Sequence, residues 1–220
     1  MARSFRFSIL IAGFCLAAIG AFALLRFEER RHAYTPIVAP QGTGLPLAAN
    51  YSAFQTAILK ELDREIKAGI VYQDGYFDGG EPPPKIGVCT DVVIRSFRAA
   101  GVDLQKKVAR DVRSVPGAYK IERPDPNIDH RRGKNLIVFF KRNAKSLPVG
   151  GAGADWQPGD VVFWDTYGDG RVDHCGMVAG GKDARGNYSI VHHWPGLPVS
   201  ETDGLYRFKV KGHFRWKDVG

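Results

Sequence analysis

Cysteine is scarce in this chain: 220 residues hold three, Cys15, Cys89 and Cys175. Cys15 falls in an apolar N-terminal run, so two thiols remain, and the default expectation for such a pair in an oxidising compartment is one structural disulfide. There is a single long apolar run, Phe7 to Leu25. No zinc-finger spacing, aromatic RNA-binding signature or basic recognition helix is present, which removes nucleic acid from the expected partners. Internal repeats are also missing. Asp165, Asp169 and Gly170 are spaced like the opening of a calcium loop, but Gly176 stands where the closing Glu is required. That stretch reads as a turn, and neither a metal nor a cofactor is expected.

The length and an apolar content of 44% suit one well-buried domain with an appendage. The appendage is residues 1–32, where Arg3 and Arg6 precede the apolar run. As a helix the run would extend roughly 28 Å, near the thickness of a bilayer core. Ala21-Phe22-Ala23 has the form of a cleavage site, yet the run continues through Leu24 and Leu25. A secretory signal and a retained membrane anchor both fit. Cys15 follows Phe14, a poor context for lipid attachment, and Arg26, Arg30 and Arg31 beyond the run orient it only weakly. The expectation is export, to the periplasm or cell envelope. Residues 33–49, rich in Pro, Gly and small residues, read as a linker.

The net charge is +8, and residues 1–48 contain five Arg and two Glu, so 26 basic and 21 acidic residues, a net of +5, belong to residues 49–220. An exported basic domain suits an anionic envelope polymer or a membrane surface, with simple solubility as the alternative. A monomer is expected.

The domain, residues 50–220, opens with a helix: Ser52-Ala-Phe-Gln55 is a capping box, Phe54, Ile58, Leu62 and Ile66 recur at steps of four, and Gly69 is a stop. A Gly- and Pro-rich loop, Tyr72 to Lys85, leads to Cys89, which begins a helix of about 12 residues carrying Val93, Phe97 and Ala100. Leu136–Phe140, Asp160–Asp165, His174–Ala179, Tyr188–Trp194 and Leu205–Val210 read as strands. Tyr167-Gly-Asp-Gly170 and Gly180-Gly-Lys-Asp183 read as hairpin turns. Helices followed by an antiparallel sheet define an α+β fold.

The order Cys89, His174, His192 is that of a nucleophile, a base and an orienting group. A helix N-terminus lowers the pKa of a thiol, and an imidazole takes its proton. His192 on the following strand would fix the tautomer of His174, although period-two alternation leaves His193 as an alternative. First-turn N–H groups are candidates for stabilising an oxyanion. Asp91, two residues after the thiol, opposes ionisation unless it points away. Cys175 adjoins His174 and on a strand should face the opposite side, as a small core residue rather than a disulfide partner. His130 with Arg131 and Arg132 is a candidate for binding a substrate carboxylate, with a solvated basic loop as the alternative. His213 and Arg215 are open to either reading.

The segments Tyr76-Phe-Asp-Gly-Gly80, Gly87-Val-Cys-Thr90, Trp156-x-Pro-Gly-Asp-Val-Val-Phe-Trp164, His174-x-Gly-Met-Val178 and Ile190-Val-His192 together resemble the NlpC-type branch of papain-like cysteine peptidases over roughly residues 70–195. The resemblance implies a papain-like fold with helices packed on an antiparallel sheet or half-barrel, and cleavage of amide bonds in the stem peptides of peptidoglycan. It further implies Cys89 as nucleophile, His174 as base, His192 as orienter and Tyr76 as a helper near the thiolate. The group usually has Asp-Cys-Ser-Gly where this chain has Val88-Cys-Thr-Asp91. That variant, with Asn127–Arg132 and Gly212–Trp216, is more similar to an uncharacterised secreted bacterial branch, domain of unknown function 1287. Two other functions remain compatible with the residues: an acyltransferase using the same triad, and a non-catalytic envelope-binding module.

Overall fold

The computed structural model describes residues 50–150 and 154–217. These residues fall within one compact unit, Ile37–Gly220. The signal or anchor segment and the linker lie outside them. Among the described residues no helix is long and apolar enough to cross a membrane.

Helix α1, Ala53–Ala68, starts where the Ser52 hydroxyl accepts from the Gln55 N–H while the Gln55 side chain accepts from the Ser52 N–H. It ends at Gly69, whose φ of 59° is the left-handed conformation that glycine adopts without a Cβ penalty. Strands β1, Val71–Tyr72, and β2, Ile86–Gly87, pair in parallel and frame the loop before the thiol. Helix α2, Cys89–Ala99, follows at once. Helices α3, Leu104–Ser114, α4, Pro116–Tyr119, and α5, Gly133–Asn143, complete the helical half.

The sheet is six-stranded and antiparallel, in the order β3-β8-β4-β5-β6-β7. Its strands are β3, Lys145–Ser146; β4, Val161–Asp165; β5, His174–Lys182; β6, Tyr188–His192; β7, Ser200–Thr202; and β8, Lys209–Arg215. Val161, Phe163, Cys175, Met177, Ala179, Val191 and Phe214 face the helices, packing with Ile58, Leu62, Val93, Phe97, Leu136 and Phe140. The alternate residues Val162, Trp164, Val178 and Ile190 build a second, smaller core with Trp156 and Leu205. The α+β architecture is as expected. Both faces of the central strands are buried, so β4 reads as an unbroken apolar run.

Three of the expected elements differ. Leu136–Phe140 is helical, inside α5, because Leu136, Ile137, Phe139 and Phe140 form one helix-spaced buried face. A short apolar run carries the same letters in a buried strand and a buried helix. The last strand begins at Lys209 rather than Leu205; Leu205 instead lies under Trp164, accepting its indole N–H at 2.9 Å. Gly180 and Gly181 continue β5, and the turn comes after them, where Asp183 accepts from the N–H groups of Arg185 and Asn187. A side chain at Gly181 would approach Ser189 and Glu201 to under 3 Å.

Candidate active site

Cys89 is the first residue of α2. The turn that aims it is held by Asp91, whose Oδ2 accepts the Val88 N–H at 2.8 Å. Arg131 then grips both carboxylate oxygens, Nε to Oδ1 at 2.8 Å and Nη2 to Oδ2 at 2.9 Å, and gives Nη1 to the Gly75 carbonyl at 2.6 Å. The Thr90 hydroxyl donates to the Arg131 carbonyl at 2.8 Å. The carboxylate that stood against an ionised thiol is thus turned into the helix cap and neutralised by a guanidinium.

This geometry reassigns two expected substrate-binding residues. Arg131 is 5% exposed and His130 is 2% exposed. Arg131 spends its fork inside the protein and lies over the Phe77 ring at 5.0 Å. His130 pairs through Nε2 with the Gly80 carbonyl at 3.1 Å. Arg131 is an internal strut between the Gly-rich loop and the start of α2, and His130 an internal tie to the end of that loop. Arg132, by contrast, is exposed and paired with Asp129. Sequence spacing cannot separate a buried basic cluster from a solvated one, because the partner carboxylate lies 40 residues away.

His174 opens β5 and His192 closes β6. The register sets Gly176 opposite His192, so the two histidines lie on the same side of adjacent strands, and Nε2 of His174 is 2.7 Å from Nδ1 of His192. Gly176 is required here: a Cβ on it would lie 2.9 Å from the His192 Cβ and from the Val191 carbonyl. That contact gives the His-x-Gly spacing its physical meaning. Trp164 stacks beside His174 and Trp194 meets its edge, with centroids at 5.7 and 4.8 Å.

Cys175 and His174 both bear on the ionisation of the Cys89 sulfur. The Cys89 thiol is held well below its ordinary value, first by the hydrogen bond from Cys175, against burial, and then by the charge and hydrogen bond of His174. The Cys175 thiol is pushed well above its own, by that same hydrogen bond and by burial. Both thiols are free.

Cys175 is a buried core residue and not a disulfide partner, as expected, but it bears on the Cys89 thiol instead of being remote from it. Cys175 does sit on the face opposite His174, but that face is the one covered by α2. His174 is the first residue of its strand.

The third position is His192 by geometry, since it is the one that meets His174. Burial holds its pKa down to about 3, with His193 and Arg207 adding to the effect, so it is neutral at ordinary pH. His193 points the other way, onto Tyr72 with centroids 5.1 Å apart, and burial holds it down to about 4.

Tyr76 does not join this set. It is 57% exposed, and its hydroxyl accepts from Asn127 at 3.0 Å beside Asp125, linking two loops. The tyrosine that feels the charge of Cys89 and Cys175 is Tyr72, half-buried on β1, with burial as the main cause of its raised pKa. Sequence reading missed Tyr72 and the thiol of Cys175. A Tyr in the strand just before a Gly-rich loop, and a Cys beside the base, are the signals that were available.

The Trp156-x-Pro-Gly-Asp160 segment is an internal polar hub. Asp160 receives His213 Nε2 at 2.7 Å and the Arg215 fork at 2.8 Å, while its Oδ2 caps Gln157 N–H at 2.9 Å. Trp156 stacks on His213 with centroids 3.5 Å apart. His213 and Arg215 are thereby structural. Asp165 accepts from the N–H groups of Gly168, Asp169 and Gly170, which makes the calcium-like stretch a carboxylate-centred turn.

A family model described as a domain of unknown function, DUF1287, matches residues 59–216. The chain belongs to that family. The match spans every residue of the site, from Tyr72 to His192. The chain is also similar to the uncharacterized protein YijF of Escherichia coli (strain K12), with 35% identity over 208 residues, 91% of this chain and 98% of that one.

Proposed function

We propose that this chain is an exported cysteine amidohydrolase of the papain-like, NlpC type, acting on amide bonds in the stem peptides of peptidoglycan. One observation carries the reading. A sulfur at the first position of a helix is held towards its ionised form in part by the imidazole of His174, whose Nε2 is 2.7 Å from a second, neutral imidazole. That is a nucleophile, a base and an orienter in mutual reach.

In this scheme Nε2 of His174 is committed to His192, and Nδ1 takes the thiol proton. The Cys175 S–H then steadies the thiolate. Attack of sulfur on the amide carbon forms a C–S bond and moves charge to the carbonyl oxygen. First-turn N–H groups of a helix have no intrahelical acceptor; the Val88 N–H is taken by Asp91, which leaves those of Cys89 and Thr90 for the oxyanion. His174 returns its proton to the departing amine, and the C–N bond breaks. Water, deprotonated by His174, then cleaves the thioester, releasing a carboxylic acid and the free thiol.

The substrate class is supported by the export segment at the N-terminus and by the net charge of +5 on residues 49–220. The test is mass spectrometry of soluble peptidoglycan fragments after incubation with the full chain and with Cys89→Ala. New amine and acid termini within the stem peptide, lost in Cys89→Ala, are the expected result. Undiminished cleavage by Cys89→Ala removes the mechanism.

A further inference from the structure

We infer that Thr202 is a positioning residue that selects the tautomer of His192 and so keeps His174 competent as a base; this rests on the hydrolase reading above. The register of β6 with β7 pairs Ile190 with Thr202 and His192 with Ser200, so Thr202 is the diagonal neighbour of His192 on the same side. Its Oγ1 lies 3.3 Å from Nε2 of His192. Thr202 is 0% exposed and His192 3%. The close approach of Gly176 to the His192 Cβ fixes where that ring sits.

The proton count fixes what the threonine must do. For His174 to accept the Cys89 proton at Nδ1, its own Nε2 must already carry a hydrogen. That hydrogen points at Nδ1 of His192, which must therefore present a lone pair. A neutral imidazole with a lone pair on Nδ1 carries its hydrogen on Nε2. The atom facing Nε2 is the Thr202 oxygen, a good acceptor. In the opposite tautomer, His192 would aim an N–H at the Nε2–H of the His174 imidazolium, and the ion pair with sulfur would weaken. Burial, with the positive charge of Arg207 adding to it, keeps His192 neutral, so it must take one tautomer or the other. A hydroxyl on β7 thus reaches the nucleophile through two rings, and the line reads Thr202, His192, His174, Cys89.

Alkylation of Cys89 by iodoacetamide across pH, read on the Cys89 peptide by mass spectrometry, tests this without any substrate. In the full chain, Thr202→Val should slow alkylation at neutral pH by roughly five- to tenfold, the scale of one orienting hydrogen bond. It should also move the profile to higher pH, while Thr202→Ser stays with the unmodified chain. Should Thr202→Val fail to fold by circular dichroism, Thr202→Ala set against Thr202→Ser gives the same comparison. A Thr202→Val profile superimposed on that of the unmodified chain overturns the role of Thr202 alone. An unmodified chain whose Cys89 reacts like free cysteine overturns the hydrolase reading and this inference with it.

Discussion

Replacing Arg131 with methionine separates a strut from a substrate-binding group. The guanidinium is 1% exposed at the side chain and the Asp91 carboxylate 3%, and the two share a bidentate pair at 2.8 and 2.9 Å. Breaking such a pair leaves one buried charge unpaired, which costs about 3–5 kcal/mol. For a domain of this size each kcal/mol moves Tm by about 2–4 °C, so the midpoint should fall by roughly 6–20 °C. A second effect follows from the position of Asp91, two residues after the thiol and hydrogen-bonded to the Val88 N–H. Without its counter-charge the carboxylate opposes the thiolate, and alkylation of Cys89 at neutral pH should slow. Adding Asp91→Asn to Arg131→Met should recover much of the lost stability, because it removes the stranded charge. Differential scanning calorimetry with the alkylation rate measures both. A Tm within about 2 °C of the unmodified chain, with weakened substrate binding instead, would refute the strut and restore Arg131 as a substrate ligand.

Cys175→Ala removes the largest influence holding the Cys89 thiol down, and Cys89 alkylation at neutral pH should fall about tenfold; an unchanged rate contradicts the part assigned to Cys175. Gly176→Ala forces a Cβ to 2.9 Å from that of His192, so Cys89 reactivity should drop with little loss of secondary structure by circular dichroism. Glu65 is fully buried in α1, without a hydrogen-bond partner among the described residues, and burial raises its pKa from 4.5 to about 8. A raised carboxyl pKa stabilises the folded form below about 4.5, and that contribution is lost as pH rises through about 8. Glu65→Gln should flatten the fall in stability between those values and be the more stable protein above them, by a few kcal/mol in urea melts; parallel pH profiles for the two proteins count against it.

Cys89, His174 and His192 were legible as candidates because each is set by local order: a Cys opening a helix, a His opening a strand, and a His one strand later. Local order also placed α1, whose cap, apolar steps and stop glycine all agree. What escaped depends on partners remote in sequence. Arg131 reads as an exposed cation until Asp91, 40 residues earlier, is set beside it. Cys175 reads as facing away because alternation describes a strand and says nothing about what lies at its end. Leu136–Phe140 reads as a strand because its length and composition suit both states, and only packing against Phe97, Phe163 and Phe214 decides. Tyr76 matched a pattern, while Tyr72, on the strand that pairs with β2, is the tyrosine that feels the charge of Cys89.

The central claim is that Cys89 is ionised where an ordinary thiol is not, and the thiolate ultraviolet absorbance of the full chain, titrated against pH and compared with Cys89→Ser, measures this directly. A step that belongs to Cys89 should appear below the free-cysteine value of about 8.5, with the Cys175 step above it. A Cys89 step at or above that value contradicts the account.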